Sequence, residues 1–268
     1  MRAVRIAATL FLALIFAAVL AADWLAPQGF AVQERDAVLS GPSAKHWLGT
    51  DELGRDRFAR LIYGARISLL LAPGAALVAV TLAASLGLLA AWAGGWIDMA
   101  IRFAMDVVQS VPWLFLLIAV RAALPMNLDP GVSLGVTFGL LALLGWAGPA
   151  RVIANAATET MSSGFVLRAR AGGSTESRVL RYHLLPTVMP LLRIQFWMTA
   201  PVFLLSEANL GIVGLGVSPP APSLGGLIVE LQSIESVFES PAKLLAPVLL
   251  ITVAAACRVM VRREGVPA

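Results

Sequence analysis

Charged residues, cysteine and histidine are all scarce in this chain of 268 residues. Only 13% of the residues are charged, roughly half the share found in soluble domains, so the polar surface is too small to cover a water-soluble globule. The single cysteine, Cys257, excludes an internal disulfide and a metal cage of thiolates. Because the two histidines, His46 and His183, lie in separate polar stretches, no metal site is expected.

Sequence patterns for catalysis are also missing. The chain has no Gly-x-x-x-x-Gly-Lys-Ser/Thr phosphate loop, no His-Glu-x-x-His zinc motif and no Gly-x-Ser-x-Gly elbow. It therefore has no predicted catalytic residue and is not expected to hydrolyse ATP. The net charge of +4 comes without a basic patch interleaved with aromatics, so nucleic acid is not an expected partner.

Long apolar runs fill most of the chain. Hydrophobic residues make up 59% of it, and six runs approach the ~20 residues that a helix needs to cross hydrocarbon. Backbone polar groups find no partner in lipid, so each run should be helical, and the lack of alternation argues against a barrel. We predict an all-α membrane protein with about six transmembrane helices. The predicted spans are Ile6–Leu25, Ile67–Trp92, Val107–Leu124, Leu134–Ala157, Val188–Leu205 and Leu244–Val261.

The first apolar run follows two arginines, as the core of a signal peptide does. From Ile6 to Ala22 it is longer than the ~7–15 residues usual for that core, and Leu20 stands where a cleavage site needs a small residue. We expect an uncleaved transmembrane helix at residues 1–26.

Arginines indicate the orientation, because basic residues collect on the cytoplasmic side of a membrane. Both termini, including the tail at 262–268, are predicted to be cytoplasmic, together with a basic polar island inside a loop at about 158–186. The connection from Glu207 to Lys243 is predicted to be external. A predicted external loop at 27–66 resists this assignment, since it holds Arg55, Arg57, Arg60 and Arg66. The remaining core is expected at 67–261.

The predicted external loop has a pattern of its own. Its glycines beside aspartate and threonine suit tight turns, and from Arg55 to Ser68 the sequence is amphipathic. We favour a helix that lies on the membrane surface with its arginines reaching to water. A structured external platform near a pore mouth is the alternative.

Some polar residues and prolines fall in or beside the spans. Asp106 and Gln109 are expected at an interface, Arg121 is expected to reach out to water, and Glu207 is expected to end the fifth span. Gln195 is expected to pack against a neighbouring helix or to line a pore. Pro73 and Pro201 are expected to kink their helices.

Several motifs in one order give the chain a family resemblance. The runs Leu48–Asp56, Leu61–Leu69, Ala93–Asp98, Glu207–Leu210, Gly214–Val217 and Pro219–Ser223 resemble one permease subunit of bacterial dipeptide, oligopeptide and nickel ABC importers. The resemblance implies a type I permease fold in the bacterial inner membrane and a coupling-helix loop on its cytoplasmic side. It also implies a second permease subunit, two ATP-binding subunits that hold ATP and Mg, and an external substrate-binding protein.

The basic island is similar to the coupling motif of that family. The resemblance implies an ATPase-coupling role for Leu167, Arg168, Ala169, Gly173, Arg178, His183, Leu185 and Pro186. Gly173 would allow the turn between two short helices, and Pro186 would start the next helix. The chain departs from the motif where the family has a glutamate, since Leu167 stands there, and Arg168 replaces an alanine.

Two further residue sets complete the prediction. The external family motif comprises Gly49, Thr50, Asp51, Gly54, Arg55 and Asp56. Candidate pore or kink residues are Gln195, Pro201, Glu207, Gly214 and Gly216. Dipeptides or oligopeptides are the first choice of substrate, followed by nickel or a metal chelate. A proton-coupled secondary transporter, which would need ionisable residues near the midplane, is the alternative of another class.

Overall fold

The computed structural model describes residues 2–125, 129–231 and 240–261, so the predicted tail at 262–268 lies outside the described residues. Helices make up most of this part of the chain, and it contains no strand. The helices are α1 (Arg2–Leu20), α2 (Ala22–Leu25), α3 (Arg57–Ala93), α4 (Gly95–Ser110), α5 (Trp113–Ala122), α6 (Pro130–Leu144), α7 (Ala147–Met161), α8 (Gly164–Ala171), α9 (Glu176–Val179), α10 (Leu185–Ile212), α11 (Leu224–Val229) and α12 (Leu245–Val261).

The all-α membrane fold is confirmed. Within the described ranges, five helices or helix pairs are long and apolar enough to span a membrane, or six if the bent pair α4–α5 counts as one span. The predicted span Val107–Leu124 is wrong as a single helix, because α4 and α5 meet at an angle of 76°. Val111 has an extended backbone there, which is the conformation that a following proline favours.

Helix α3 is longer than a membrane is thick. Its 37 residues rise about 55 Å at 1.5 Å per residue, against about 30 Å of hydrocarbon. Asp56 caps its first turn by accepting a hydrogen bond from the Ala59 amide at 2.7 Å. The predicted boundary at residue 66 therefore falls inside a helix. The helix also continues through Pro73.

Helices α3 and α7 pack through small residues. Gly87 is buried on α3, and an added Cβ there would lie 2.9 Å from the Ala150 carbonyl oxygen and 3.0 Å from the Ala154 amide nitrogen. Ala83 and Ala90, one turn to either side, are fully buried as well. Small side chains let two backbones approach closely, which is how helices associate in lipid without a hydrophobic driving force.

Helix α4 turns its polar side toward α7. The Arg102 guanidinium donates to Asp98 at 2.7 Å and to Asn155 at 2.8 Å, and Arg151 pairs with Asp106. The opposite side of α4 is apolar and exposed, with Trp96, Met99 and Phe103 along it. This distribution suits a helix that has a polar contact inside the protein and lipid outside it.

Candidate functional site

A cavity opens where the bent pair α4–α5 meets α7 and α10. It has a volume of about 560 Å³, and its lining includes Gln109, Trp113, Gly148, Gln195 and Phe203. Trp113 begins α5, and its ring centroid lies 6.4 Å from that of Phe203. Among the described residues that line the cavity, none has an ionisable side chain, so the polarity that they supply comes from neutral amide and hydroxyl groups.

The two glutamines reach this cavity from different helices. Gln109 lies near the end of α4, where its amide donates to the Met105 carbonyl at 3.2 Å, and Gln195 lies in the first half of α10. The structure therefore places Gln195 at a cavity, while its role in a pore stays a prediction. Pro201 is buried inside α10, which continues through it.

The basic island folds as two short helices joined by a glycine turn. Gly173 has φ +83°, and the amides of Gly173 and Ser174 donate to the carbonyls of Arg170 and Ala169 at 2.9 and 3.0 Å. This is a Schellman motif, in which a glycine ends a helix in the left-handed conformation. The turn has the geometry expected of Gly173, and its ATPase-coupling role stays a prediction.

Buried side chains attach these short helices to the bundle. Val166, Val179 and Leu184 are fully buried, and the Phe165 ring lies 5.8 Å from that of His183. A π-helical turn at Leu180–Leu184 joins α9 to α10 without a break. Pro186 is therefore in the first turn of α10, with no free helix end before it.

The outer surface of α8 and α9 is apolar and basic. Leu167 is 53% exposed and Tyr182 is 65% exposed. Arg168 is exposed and donates to the Gly164 carbonyl of its own helix at 3.1 Å. Residues 162–184 hold four arginines and one glutamate, Glu176, which pairs with Arg170 at 2.9 Å. We call residues 162–184 the coupling loop.

Residues 27–56 fold into a compact unit, which we call the platform. Its turns use Gly49 (φ +72°) and Gly54 (φ +71°), and an added Cβ at either glycine would clash with backbone of the platform itself. The Thr50 hydroxyl donates to the Ala37 carbonyl and accepts from the Ser40 amide. His46 bonds Asp56 at 2.8 Å. The predicted external motif therefore builds a folded unit.

The side chains of Arg55, Arg57 and Arg60 are only 14%, 9% and 12% exposed and pair with carboxylates, so the expected surface helix with arginines reaching to water is wrong. Arg60 bonds Asp51 at 2.6 Å and Glu230 at 2.5 Å. Arg57 is 9% exposed and bonds Glu230 at 3.2 Å, while Arg55 bonds Asp51 at 2.7 Å. These pairs tie the platform and the start of α3 to the end of α11.

Asp51 is the centre of this charge cluster. Burial by itself would raise the pKa of the Asp51 carboxyl, but hydrogen bonds from the Arg55 and Leu53 amides, and then the guanidinium groups of Arg55 and Arg60, outweigh it. The pKa therefore lies below its ordinary value. The carboxylate then stabilises the fold at neutral pH, and this stabilisation is lost as the pH falls below the unfolded pKa of ~3.9.

We expect Asp51→Asn to lower the free energy of unfolding by about 2 kcal/mol at pH 7, because several hydrogen bonds to a charged group are weakened. The difference from wild type should shrink progressively below about pH 4, because the unfolded-state carboxylate is protonated there first and the folded-state carboxylate only at its lower pKa. Thermal unfolding in detergent at pH 7 and pH 3.5 measures this, with Asp36→Asn at an exposed platform position as control. Equal stability of Asp51→Asn and wild type at pH 7 would contradict the assignment.

A buried network holds the segment between α10 and α11. Glu207 is fully buried inside α10, so the expectation that it ends the fifth span is wrong. Its carboxylate accepts from the Ser68 hydroxyl at 3.1 Å and from the Gly225 amide at 3.3 Å, and Ser68 accepts from the Leu224 amide at 3.0 Å. We call residues 213–225 the pinned segment.

Glycines let the pinned segment lie directly on α10. An added Cβ at Gly211 would lie 2.7 Å from the Gly225 carbonyl carbon, and one at Gly216 would lie 2.8 Å from the Gly211 Cα. Gly214 has φ +79° and opens the turn. These glycines have a clear packing role, while the predicted pore role of Gly214, Gly216 and Glu207 stays a prediction.

Arg121 is buried at the end of α5, so the expectation that it reaches out to water is wrong. It is 3% exposed. Its guanidinium donates to the Ser133 hydroxyl at 3.0 Å and to the Gly216 carbonyl at 3.3 Å. Sequence reasoning missed this contact because Gly216 is distant along the chain.

A metal site finds no support in the side chains. Among the described residues, no group of three or more His, Cys, Asp or Glu side chains is placed to hold a metal ion.

Comparison with known proteins gives one consistent result. Residues 80–262 match the family model described as binding-protein-dependent transport system inner membrane component. The dipeptide transport system permease protein DppC of Bacillus subtilis is 35% identical over 69% of this chain and 56% of its own length. The oligopeptide transport system permease protein OppC of Mycobacterium tuberculosis is 30% identical over 89% of this chain and 82% of its own length.

The fold also has a solved counterpart. A chain of the MetNI methionine ABC transporter in an inward-facing conformation aligns with a TM-score of 0.58 and 21% identity, covering 78% of this chain and 98% of that one. This likeness shows a shared fold. The match spans 56%, 61% and 59% of the length of the three DppC relatives from Bacillus subtilis, Alkalihalophilus pseudofirmus and Lactococcus lactis.

Proposed function

Because this chain belongs to the family of binding-protein-dependent transport system inner membrane components, we propose that it is one permease subunit of an ATP-driven importer. The cavity at the α4–α5 break is the observation that carries this proposal. It is one side of a passage, and a second permease subunit supplies the other side. The lipid-facing helices hold both subunits in the bacterial inner membrane.

The coupling loop is the proposed contact with the energy source. ATP and Mg bind to two separate ATP-binding subunits, since this chain has no phosphate loop. The loop, with its four arginines, faces the cytoplasm together with both termini, as the positive-inside rule requires. Because α9 runs into α10 without a break, movement of the loop is transmitted to a helix that lines the cavity. An external binding protein delivers the substrate to the opposite face.

Di- or oligopeptides are the proposed substrates. The amides of Gln109 and Gln195 can donate to and accept from peptide groups. The names of the DppC and OppC relatives point the same way. A bare nickel ion is less well supported, because the lining residues that the structure describes offer neither imidazole nor carboxylate ligands. A proton-coupled carrier is also less well supported, because no described residue of this wall has an ionisable side chain.

Uptake into proteoliposomes tests the function. The chain is assembled with its ATP-binding subunits, second permease subunit and binding protein, and uptake of a labelled dipeptide is followed. We expect uptake that requires ATP and stops when the ATP-binding subunits are omitted. Uptake driven by a proton gradient without ATP would contradict the proposal.

The coupling loop has a chain-specific surface, which sets the kind of ATPase it fits. Leu167 and Phe165 are exposed and apolar, and Arg168 stands beside them. We propose that the groove on its ATP-binding subunit is apolar with an acidic rim at this position. Such a groove complements the basic charge of the coupling loop. It also lacks the basic residue that would pair with a glutamate at the position of Leu167.

The double change Leu167→Glu with Arg168→Ala tests this surface. We expect roughly tenfold weaker stimulation of ATP hydrolysis in the assembled complex, because one buried carboxylate or one lost charge pair costs at least that much. Leu53→Glu is the matched control, since Leu53 is 50% exposed on the platform and far from the loop in the fold. Unchanged assembly and stimulation in the double variant would contradict the proposed surface.

A further inference from the structure

Arg121 is a buried cation. It is 3% exposed, and within the part of the chain that the structure describes it forms no ion pair and its Nε has no hydrogen-bond partner. A guanidinium in such a place is expensive in a membrane protein, and ionisable residues at membrane depth are functional candidates for that reason. The two bonds that it does form therefore indicate its role.

Both bonds lead to the pinned segment. One goes directly to the Gly216 carbonyl at 3.3 Å. The other goes to the Ser133 hydroxyl at 3.0 Å, and the same hydroxyl accepts from the Ser218 amide at 3.2 Å. Arg121 and Ser133 thus hold one end of the segment, while Glu207 and Ser68 hold its other end.

The helix that carries Arg121 also forms part of the cavity wall. α5 begins with Trp113, which lines the cavity beside Phe203, and it ends one residue after Arg121. Its ten residues make a helix of about 15 Å. The bend of 76° before Trp113 separates this short helix from α4.

We propose that Arg121 is a positioning residue that fixes the pinned segment to α5, so that the cavity wall and the pinned segment shift together during transport. This inference rests on the proposed importer function. It adds a link between the cavity and a segment that takes no part in lining it.

The energetic cost of burying a charge distinguishes a positioning role of Arg121 from simple packing. Replacing Arg121 by an apolar residue of similar size removes the desolvation cost of a buried charge, which offsets the loss of its two hydrogen bonds in the stability of the fold. If Arg121 only filled space, methionine would serve as well. If it positions the pinned segment, methionine should keep the fold and lose the link.

The test compares Arg121→Met, Arg121→Lys and wild type in the assembled importer. In Arg121→Met we expect an unchanged thermal midpoint and roughly tenfold slower ATP-driven dipeptide uptake, the size of one lost hydrogen bond to a charged group. Arg121→Lys keeps a charged donor and should restore part of the uptake. Unchanged uptake in a stable Arg121→Met protein would overturn the proposal.

A thiol reporter tests the link without transport. Ser218→Cys, made with Cys257→Ala, places a buried thiol on the pinned segment, since Ser218 is 8% exposed. Arg121→Met should raise its rate of reaction with a maleimide roughly tenfold. The native Cys257, 6% exposed, is the matched control for general loosening in a protein that keeps Ser218. A similar rise at both thiols would overturn the proposal.

Ser133→Ala gives a second variant if Arg121→Met fails to fold. It removes the hydroxyl that both Arg121 and the Ser218 amide use, and it should raise the reporter rate in the same direction. No change in the reporter rate would overturn the proposal. Absence of ATP-driven uptake in the wild-type complex would instead count against the importer function and leave the reporter result valid.

Discussion

Gly87→Leu should destabilise the protein by about 3 kcal/mol or more, enough to lower its thermal midpoint by about 10 °C. An added Cβ at Gly87 would lie 2.9 Å from the Ala150 carbonyl oxygen and 3.0 Å from the Ala154 amide nitrogen. Both are backbone atoms of α7, so a rotamer change cannot relieve the clash and α7 itself must move. Thermal unfolding of the purified chain in detergent measures the effect.

The control for this substitution lies on the same helix. Gly74 is also inside α3, and no atom lies within 4 Å of a Cβ added there. Gly74→Leu gains the same helix propensity, worth about 0.8 kcal/mol, without the clash. It should therefore be neutral or slightly stabilising. If Gly87→Leu and Gly74→Leu had equal midpoints, the close packing of α3 on α7 would be wrong.

Gly148→Trp should reduce ATP-driven uptake by at least roughly tenfold and leave the fold intact. Gly148 is exposed to the cavity, and no atom lies within 4 Å of an added Cβ. An indole can therefore enter the cavity without moving the backbone, and it removes space that a peptide needs. A barrier rise of about 1.4 kcal/mol is enough for a tenfold loss.

ATP hydrolysis in the same preparation separates a blocked passage from a failed assembly. Gly148 lies at the start of α7, away from the coupling loop that follows its end, so hydrolysis should persist. Gly139→Trp is the matched control, because Gly139 is equally open but lines a different groove, between α3 and α6. If Gly148→Trp left uptake unchanged, this cavity would not be part of the transport path.

Hydropathy predicted most of the helices, because lipid offers no hydrogen-bond partners to the backbone. The segments Ile67–Trp92 and Leu244–Val261 lie almost wholly within α3 and α12, since an apolar run of that length in lipid must form helix to satisfy its own amides. The break before Trp113 was hidden because an apolar run follows it and only Gln109 and Ser110 interrupt the apolar residues of the predicted span before it. Only Pro112 marks it, through the extended backbone that it favours at Val111.

The charged residues were harder to predict, because their partners are distant along the chain. Arg57 pairs with Glu230, which is 173 residues away, and Ser68 donates to Glu207, which is 139 residues away. A prediction that considers each residue only with its sequence neighbours places an arginine near a transmembrane span at the membrane interface. Tertiary contact instead buries Arg57 and Arg121 within the protein, and no local pattern records that contact. The turn at Gly173 was easier to predict, because the glycine that ends the helix belongs to the local sequence.

The length of α3 has a mechanical consequence. One uninterrupted helix carries Arg57 and Arg60 at its first turn and Gly87 near its last. One helix therefore carries both the ion pairs with the platform and the packing contact with α7, and it is longer than the hydrocarbon is thick. Displacement of the platform end of this helix would therefore be carried along α3 to its contact with α7, past Pro73, where one backbone hydrogen bond is missing.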